Sequence, residues 1–209
     1  MSHVVLLGDS IFDNAAYVGG GPDVVAQLRP LLPAGWRATL RAVDGAVTGG
    51  VSRQLQQLPA DASHLVISTG GNDALGQSGV LDERAFSIAG AVGRLAGVRE
   101  GFQRDYRAML DAVLARRLPT AVCTIYDARY PDPQRQRLVV TALTVFNDVI
   151  TREAFGRGLP LIDLRLLCDE DEDYANPIEP SVHGGAKIAR AIAALVTAPP
   201  ARRPEVYAR

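Results

Sequence analysis

The sequence predicts a three-layer α/β/α domain, doubly wound around a five-stranded parallel sheet. Short apolar runs alternate with helical segments along the whole chain, and these runs contain almost no polar residues. Strands have this pattern when helices cover both faces of a parallel sheet. Because 47% of the 209 residues are hydrophobic, one buried core is expected. We predict a single domain over residues 1–197 and a flexible, proline-rich tail over residues 198–209.

The predicted elements alternate in order along the chain. Strands are expected over Val4–Gly8, Arg37–Val43, Leu65–Thr69, Thr120–Tyr126 and Leu161–Leu164. Helices are expected over Pro22–Leu32, Val51–Leu58, Asp82–Arg117, Arg137–Arg157 and Val182–Val196. The four glycines of the third helix predict a break near residues 97–101. Loops are expected over residues 127–136 and 168–180.

Composition narrows the classes of partner. The net charge of −1 and the lack of basic clusters give no electrostatic reason to expect nucleic acid or an anionic membrane as partner. The chain begins directly as a strand, and no apolar run is long enough to span a bilayer, so we expect a soluble cytoplasmic protein. Cys123 and Cys168 lack the neighbours of a zinc site, and no metal or cofactor is predicted. The sequence does not indicate an oligomeric state.

Glycine-rich or polar segments follow four of the predicted strands. These are residues 8–10 (Gly-Asp-Ser), 45–50 (Gly-Ala-Val-Thr-Gly-Gly), 70–73 (Gly-Gly-Asn-Asp) and 176–183 (Asn-Pro-Ile-Glu-Pro-Ser-Val-His). The carboxyl ends of parallel strands meet at one edge of the sheet, where ligands bind in such folds. We therefore expect the four segments to converge at this edge.

In order and spacing, these segments resemble the SGNH/GDSL hydrolase family. Gly8–Ser10 is similar to the first family block, with Ile11 where leucine is common. Gly49 matches the glycine block, and Gly71–Asp73 matches the asparagine block. The resemblance covers nearly the whole chain and implies the flavodoxin-like sheet of SGNH hydrolases.

The resemblance also implies an activity, namely hydrolysis of a small acyl ester through an acyl-enzyme on Ser10. Ser10 follows the first strand, at an expected strand-to-helix turn that exposes its hydroxyl to substrate. The oxyanion would be bound by the backbone N–H groups of Ser10 and Gly49 and by the side-chain amide of Asn72.

The general base is the point at which the sequence departs from the family. The family carries Asp-x-x-His before its last helix, and this chain has no such motif. One alignment makes His183 the base with Glu179 as its orienting acid. A second alignment puts Glu179 in the histidine position and Asn176 in the acid position. It is favoured because Ser181 is a natural N-cap for the last helix.

Two other functions stay open at this stage. The missing Asp-x-x-His motif is compatible with a catalytically impaired domain that binds an acylated or glycosylated ligand without turnover. A nucleotide or flavin binder of similar topology is disfavoured, because no Gly-x-Gly-x-x-Gly follows a strand and no Walker motif is present.

Overall fold

The computed structural model describes residues 2–198 and contains the predicted five-stranded parallel sheet. Its strands are β1 (His3–Gly8), β2 (Arg37–Leu40), β3 (His64–Ser68), β4 (Thr120–Cys123) and β5 (Leu161–Ile162). Their order across the sheet is β2-β1-β3-β4-β5, and every neighbouring pair is parallel. The chain changes its direction of winding between β1 and β3. Ligand sites in such sheets lie at this switch point, beyond the carboxyl ends of the strands.

Helices cover both faces of this sheet. They are α1 (Val24–Leu28), α2 (Val51–Leu55), α3 (Gly71–Gly76), α4 (Ile88–Leu114), α5 (Pro133–Gly156), α6 (Leu164–Leu167) and α7 (Val182–Thr197). Successive residues of β1 point to opposite faces. Val4 and Leu6 pack in the core that includes residues of α1 and α7, whereas Val5 and Leu7 pack in the core that includes residues of α4 and α5. The predicted α/β/α class is confirmed.

Several predicted boundaries were wrong. Helix α4 runs unbroken through residues 97–101, where a break was expected. A glycine costs a helix about 1 kcal/mol relative to alanine, which packing can offset. Here Phe102, Tyr106 and Leu110 bury the second half of α4 against the sheet, and Arg99 pairs with Asp148 of α5.

Other differences lie in the predicted loops. Helix α5 begins at Pro133, inside the segment expected to be a loop, because the Asp132 side chain accepts a hydrogen bond from Gln134 N–H and caps it. The acidic segment after α6 contains a two-stranded antiparallel hairpin, β6 (Tyr174–Asn176) and β7 (Glu179–Pro180). The short helices α3 and α6 were not predicted.

Gly8 allows β1 to end in close contact with β3. Its φ of +121° is rarely adopted by other residues, and a Cβ at this position would lie 1.6 Å from the Ser68 carbonyl oxygen. The Asp9 N–H donates to that oxygen at 3.1 Å. The turn that carries Ser10 is thereby attached to the neighbouring strand.

None of the helices described within residues 2–198 is long and apolar enough to cross a membrane. The cytoplasmic location stays a prediction. Apart from Ala198, the predicted tail lies outside the described residues.

Candidate active site

Ser10 lies in a turn that follows β1 directly. The N–H groups of Phe12 and Asp13 both donate to the Asp9 carbonyl oxygen, which closes this turn. The expected strand-to-helix turn is absent, because α1 begins only at Val24. Ser10 is 6% exposed and lies just beyond the carboxyl end of β1.

The hydroxyl of Ser10 donates a hydrogen bond to Glu179 Oε1 at 3.0 Å. Glu179 is the first residue of β7, and one hydrogen bond on each side of it holds this strand in place. The Tyr126 hydroxyl donates to the Ile178 carbonyl oxygen at 2.7 Å, and Asn14 Nδ2 donates to the Pro180 carbonyl oxygen at 3.2 Å. The hairpin therefore positions a carboxylate against the serine across 169 residues of sequence.

Burial raises the pKa of Glu179 to about 7. Removal from water disfavours the charged form, the hydrogen bond from Ser10 opposes this effect, and the negative charge of Asp44 adds to it. Within residues 2–198, the buried Oε2 atom of Glu179 accepts no hydrogen bond. The carboxylate can therefore take up a proton near neutral pH.

This raised pKa predicts a pH-dependent stability difference for Glu179→Gln. The folded wild type binds a proton more tightly than the unfolded chain, so its free energy of unfolding falls as pH rises from about 4.5 to about 7. At about 1.4 kcal/mol per pKa unit, the loss approaches roughly 3 kcal/mol. Glutamine does not ionise, so the variant does not lose this stability and becomes more stable relative to wild type as pH rises. Urea unfolding at pH 5 and pH 8 measures the difference.

The control for this experiment is Glu172→Gln, which changes an exposed carboxylate of the preceding segment. It is expected to leave the pH dependence of wild type unaltered. A constant stability difference between wild type and Glu179→Gln at both pH values would contradict the raised pKa.

The structure does not bring His183 to Ser10. Its Nε2 atom lies 3.6 Å from Glu170 Oε2 and 3.7 Å from Asp173 Oδ1, and its side chain is 54% exposed. Within residues 2–198, these three side chains form the one grouping of metal-ligand types. The Lys187 ammonium already contacts the same two carboxylates, at 2.7 and 2.9 Å. Ser181 caps α7 as the second alignment required, and this register carries His183 outward.

Asn72 lies in the first turn of α3 and lines the same cavity as Ser10. Its Nδ2 atom donates to the Ala46 carbonyl oxygen at 3.0 Å, which fixes the plane of the amide and leaves its second N–H for another acceptor. Gly49 lies three residues further along the Ala46 loop and is not among the residues that line the cavity. Among residues 2–198, the N–H groups of Ser10 and Gly49 donate to no protein acceptor.

Sequence reasoning did not identify two side chains that support the segments around Ser10 and Asn72. Asp73 Oδ2 accepts hydrogen bonds from Thr48 N–H at 2.9 Å and from the Thr48 hydroxyl at 3.0 Å. The buried Gln54 amide pairs with both the N–H and the carbonyl oxygen of Gly8, each at 2.8 Å. Asp73 was visible in the asparagine block, whereas nothing in the sequence singles out Gln54.

Asp9 is a second buried carboxyl, next to Ser10 in the chain. Burial raises its pKa to about 8, and the charge of Glu179 adds to the shift. Its Oδ1 atom accepts a hydrogen bond from the Ile11 N–H at 3.2 Å. Asp9 therefore shapes the turn that carries Ser10.

A cavity of about 120 Å³ opens beside Ser10. Ser10, Asn72 and Glu179 line its polar end. Its other walls are mainly apolar, with Val98 from α4 and Phe146 from α5 as examples. A reacting group at Ser10 can therefore carry an apolar substituent.

The sheet order, the serine after β1 and the asparagine after β3 define a hydrolase of the SGNH type. The family model described as "GDSL-like Lipase/Acylhydrolase family" matches residues 6–191. The chain belongs to this family, which confirms the resemblance and the class of ester-hydrolysing enzyme. A comparison with curated protein sequences gave no significant match.

Solved structures with the same fold include several ester hydrolases. The lipase Lip_vut3 from a goat rumen metagenome is similar with a TM-score of 0.72 at 17% identity, over 93% of this chain and 97% of the other. The extracellular lipase of Streptomyces rimosus has a TM-score of 0.65 at 18% identity, over 94% and 100%. The M. smegmatis aryl esterase has a TM-score of 0.65 at 14% identity, over 94% and 98%. At these identities the likeness establishes the fold alone.

Proposed function

We propose that the protein is a serine esterase in which Ser10 is the nucleophile and Glu179 is the general base. The observation that carries this proposal is the hydrogen bond of 3.0 Å from the Ser10 hydroxyl to Glu179 Oε1. A base must lie within hydrogen-bond reach of the proton that it removes, and its pKa should lie near the working pH. Glu179, with a pKa of about 7, meets both requirements.

The proposed reaction has two steps. Ser10 Oγ attacks the ester carbonyl carbon while its proton passes to Glu179, and the protonated carboxyl then gives this proton to the departing alkoxide. The alcohol leaves, and the acyl group stays on Ser10. Water next attacks the acyl carbon and gives a proton to Glu179, which returns it to Ser10 as the carboxylic acid departs.

Three donors are available for the negative charge that develops on the carbonyl oxygen. They are the second N–H of the Asn72 amide and the backbone N–H groups of Ser10 and Gly49. Preorganised donors of this kind stabilise the oxyanion without reorganisation at the moment of reaction. Because Gly49 does not line the cavity, we assign it the outermost of the three positions.

The cavity favours an ester with an apolar substituent. Most of its lining is apolar, with Leu95, Leu143 and Phe146 as examples, and Gln77 and Arg135 also line it. Burial of apolar surface of the substrate in such a cavity contributes about 25 cal/mol per Å² to binding. We therefore expect the acyl group, rather than a charged or glycosidic group, to occupy this space.

Labelling with a fluorophosphonate tests the proposal, because stoichiometric reaction of a serine with this reagent requires an activated hydroxyl. We expect one equivalent of label on the wild type and none on Ser10→Ala. The matched control is Ser78→Ala, which changes another serine of the cavity and is expected to label as wild type does.

Absence of labelling on the wild type would contradict the esterase proposal. It would favour the alternative of a domain that binds an acylated or glycosylated ligand without turnover. Label retained on Ser10→Ala would place the nucleophile at another residue.

A further inference from the structure

Four large apolar side chains are exposed around the start of α4 and α5. Phe86 is 100% exposed, Ile88 86%, Val92 58% and Leu138 44%; together they are named the apolar rim. Single exposed apolar residues are common, whereas a group of them marks an interaction surface. The buried residues of α4 begin only at Phe102, so the rim contributes little to the core.

The two helices run parallel, so that their N-terminal halves lie at the same end of this layer. Arg99 pairs with Asp148 at 2.8 Å, Arg107 pairs with Glu153 at 2.6 Å, and residue numbers rise together along both helices. Ile88 of α4 and Leu138 of α5 therefore lie at the same end of this layer. Helices that follow parallel strands begin at the carboxyl edge of the sheet, where Ser10 also lies.

The rim is continuous with the walls of the cavity. Ile88, Val92 and Leu95 have the spacing of one helical face, and Leu95 lines the cavity. Leu138 and Ala142 have the same relation on α5, where Ala142 lines the cavity. An apolar surface thus extends from the outside of the protein to the position of the proposed nucleophile.

Basic side chains flank this surface. Arg84 and Arg137 are exposed, and neither forms an ion pair within residues 2–198, whereas the neighbouring carboxylates of Asp82 and Glu83 each pair with another arginine. The net charge of −1 belongs to the whole chain, and these two guanidinium groups are a local feature of the rim. Each lies within two residues of a rim side chain in sequence. Guanidinium groups bind phosphate oxygens well, and basic residues beside an apolar surface favour anionic lipid headgroups.

We propose that the apolar rim docks on the surface of an anionic phospholipid aggregate, from which an acyl chain enters the cavity. This inference rests on the proposed esterase function. Phe86 and Ile88 would lie among the acyl chains, with Arg84 and Arg137 at the level of the phosphates. A chain that leaves the aggregate would then remain in contact with apolar side chains as far as Ser10.

Cosedimentation with vesicles of phosphatidylglycerol and phosphatidylcholine tests the docking surface. The Ser10→Ala protein is used, so that binding is measured without turnover. We expect this protein to bind, and we expect the added changes Phe86→Ser and Ile88→Ser to weaken partitioning by about tenfold or more. Leu166→Ser in the same background is the matched control; Leu166 is 77% exposed, and its helix α6 contacts α7 in the other helical layer.

A second measurement separates this inference from the proposed function. With Ser10 intact, the rim double variant is expected to hydrolyse soluble p-nitrophenyl acetate with the kcat/KM of wild type, because the rim lies outside the reacting groups. Loss of labelling at Ser10 would refute the esterase without affecting the vesicle result.

Three outcomes would overturn the docking proposal. They are failure of Ser10→Ala to bind vesicles, equal weakening by Leu166→Ser, and a dimer in sedimentation that the rim double variant abolishes. The last outcome would assign the rim to contact between two copies of the chain.

Discussion

Replacement of Glu179 by glutamine is expected to lower kcat/KM for p-nitrophenyl acetate by about 100- to 10,000-fold, the usual contribution of general acid–base catalysis. In the wild type the Ser10 hydroxyl donates to Glu179 Oε1 at 3.0 Å. Glutamine is similar in size, and its amide oxygen can accept the same hydrogen bond. An amide does not accept a proton near neutral pH. The loss therefore reports on proton transfer rather than on packing.

The wild-type pH profile follows from the same carboxylate. Only ionised Glu179 accepts the serine proton, and its pKa is about 7. We therefore expect kcat/KM to be low in acid, to rise through about pH 7 and to level off above it. An imidazole of ordinary pKa, near 6.5, would give a similar limb, so the profile is read together with variants.

The matched control is His183→Gln, which removes the other candidate base. Because His183 contacts Glu170 and Asp173 rather than Ser10, this variant should keep both the rate and the acid limb of wild type. A Glu179→Gln enzyme of undiminished activity would refute Glu179 as the base. A His183→Gln enzyme without the acid limb would assign that role to the imidazole.

Replacement of Asn72 by alanine is expected to lower kcat by about 100- to 1,000-fold, or about 3–4 kcal/mol of transition-state stabilisation. The amide is oriented by the Ala46 carbonyl oxygen at 3.0 Å and lines the cavity beside Ser10. Because the oxyanion exists only after attack, KM should change little. Steady-state kinetics with p-nitrophenyl acetate separate the two constants.

Two controls accompany the Asn72 variant. Gln77→Ala removes another amide that lines the cavity and should leave kcat unchanged. Loss of the hydrogen bond to Ala46 costs about 1 kcal/mol of folding stability, so urea unfolding shows whether the variant is intact. A folded Asn72→Ala enzyme with the kcat of wild type would remove Asn72 from the oxyanion hole.

The helix boundaries show where local sequence signals are sufficient and where they are not. The Ser181 N-cap was evident from sequence, because a cap depends on residues within one turn. The continuity of α4 was not evident, because its glycines can be read from the local sequence, whereas the contacts that offset their cost come from residues distant along the chain. Arg99 reaches Asp148 across the layer, and Phe102 is buried against the sheet.

The sequence by itself determined the fold class and the edge at which the chemistry lies. Buried apolar runs separated by helices require a parallel sheet, and the polar segments after β1 and β3 then meet at the carboxyl ends of neighbouring strands. This reasoning placed Ser10 and Asn72 at one edge of the sheet, and in the structure both line the same cavity.

Only the tertiary structure decided which acceptor stands beside Ser10. The two candidates are four residues apart on one segment, but the β6–β7 hairpin turns Glu179 inward and the first turn of α7 carries His183 outward. The pKa of Glu179 was equally beyond the sequence, because it is set by burial among residues distant along the chain. A carboxylate acquires the basicity for this reaction only when folding removes water from it.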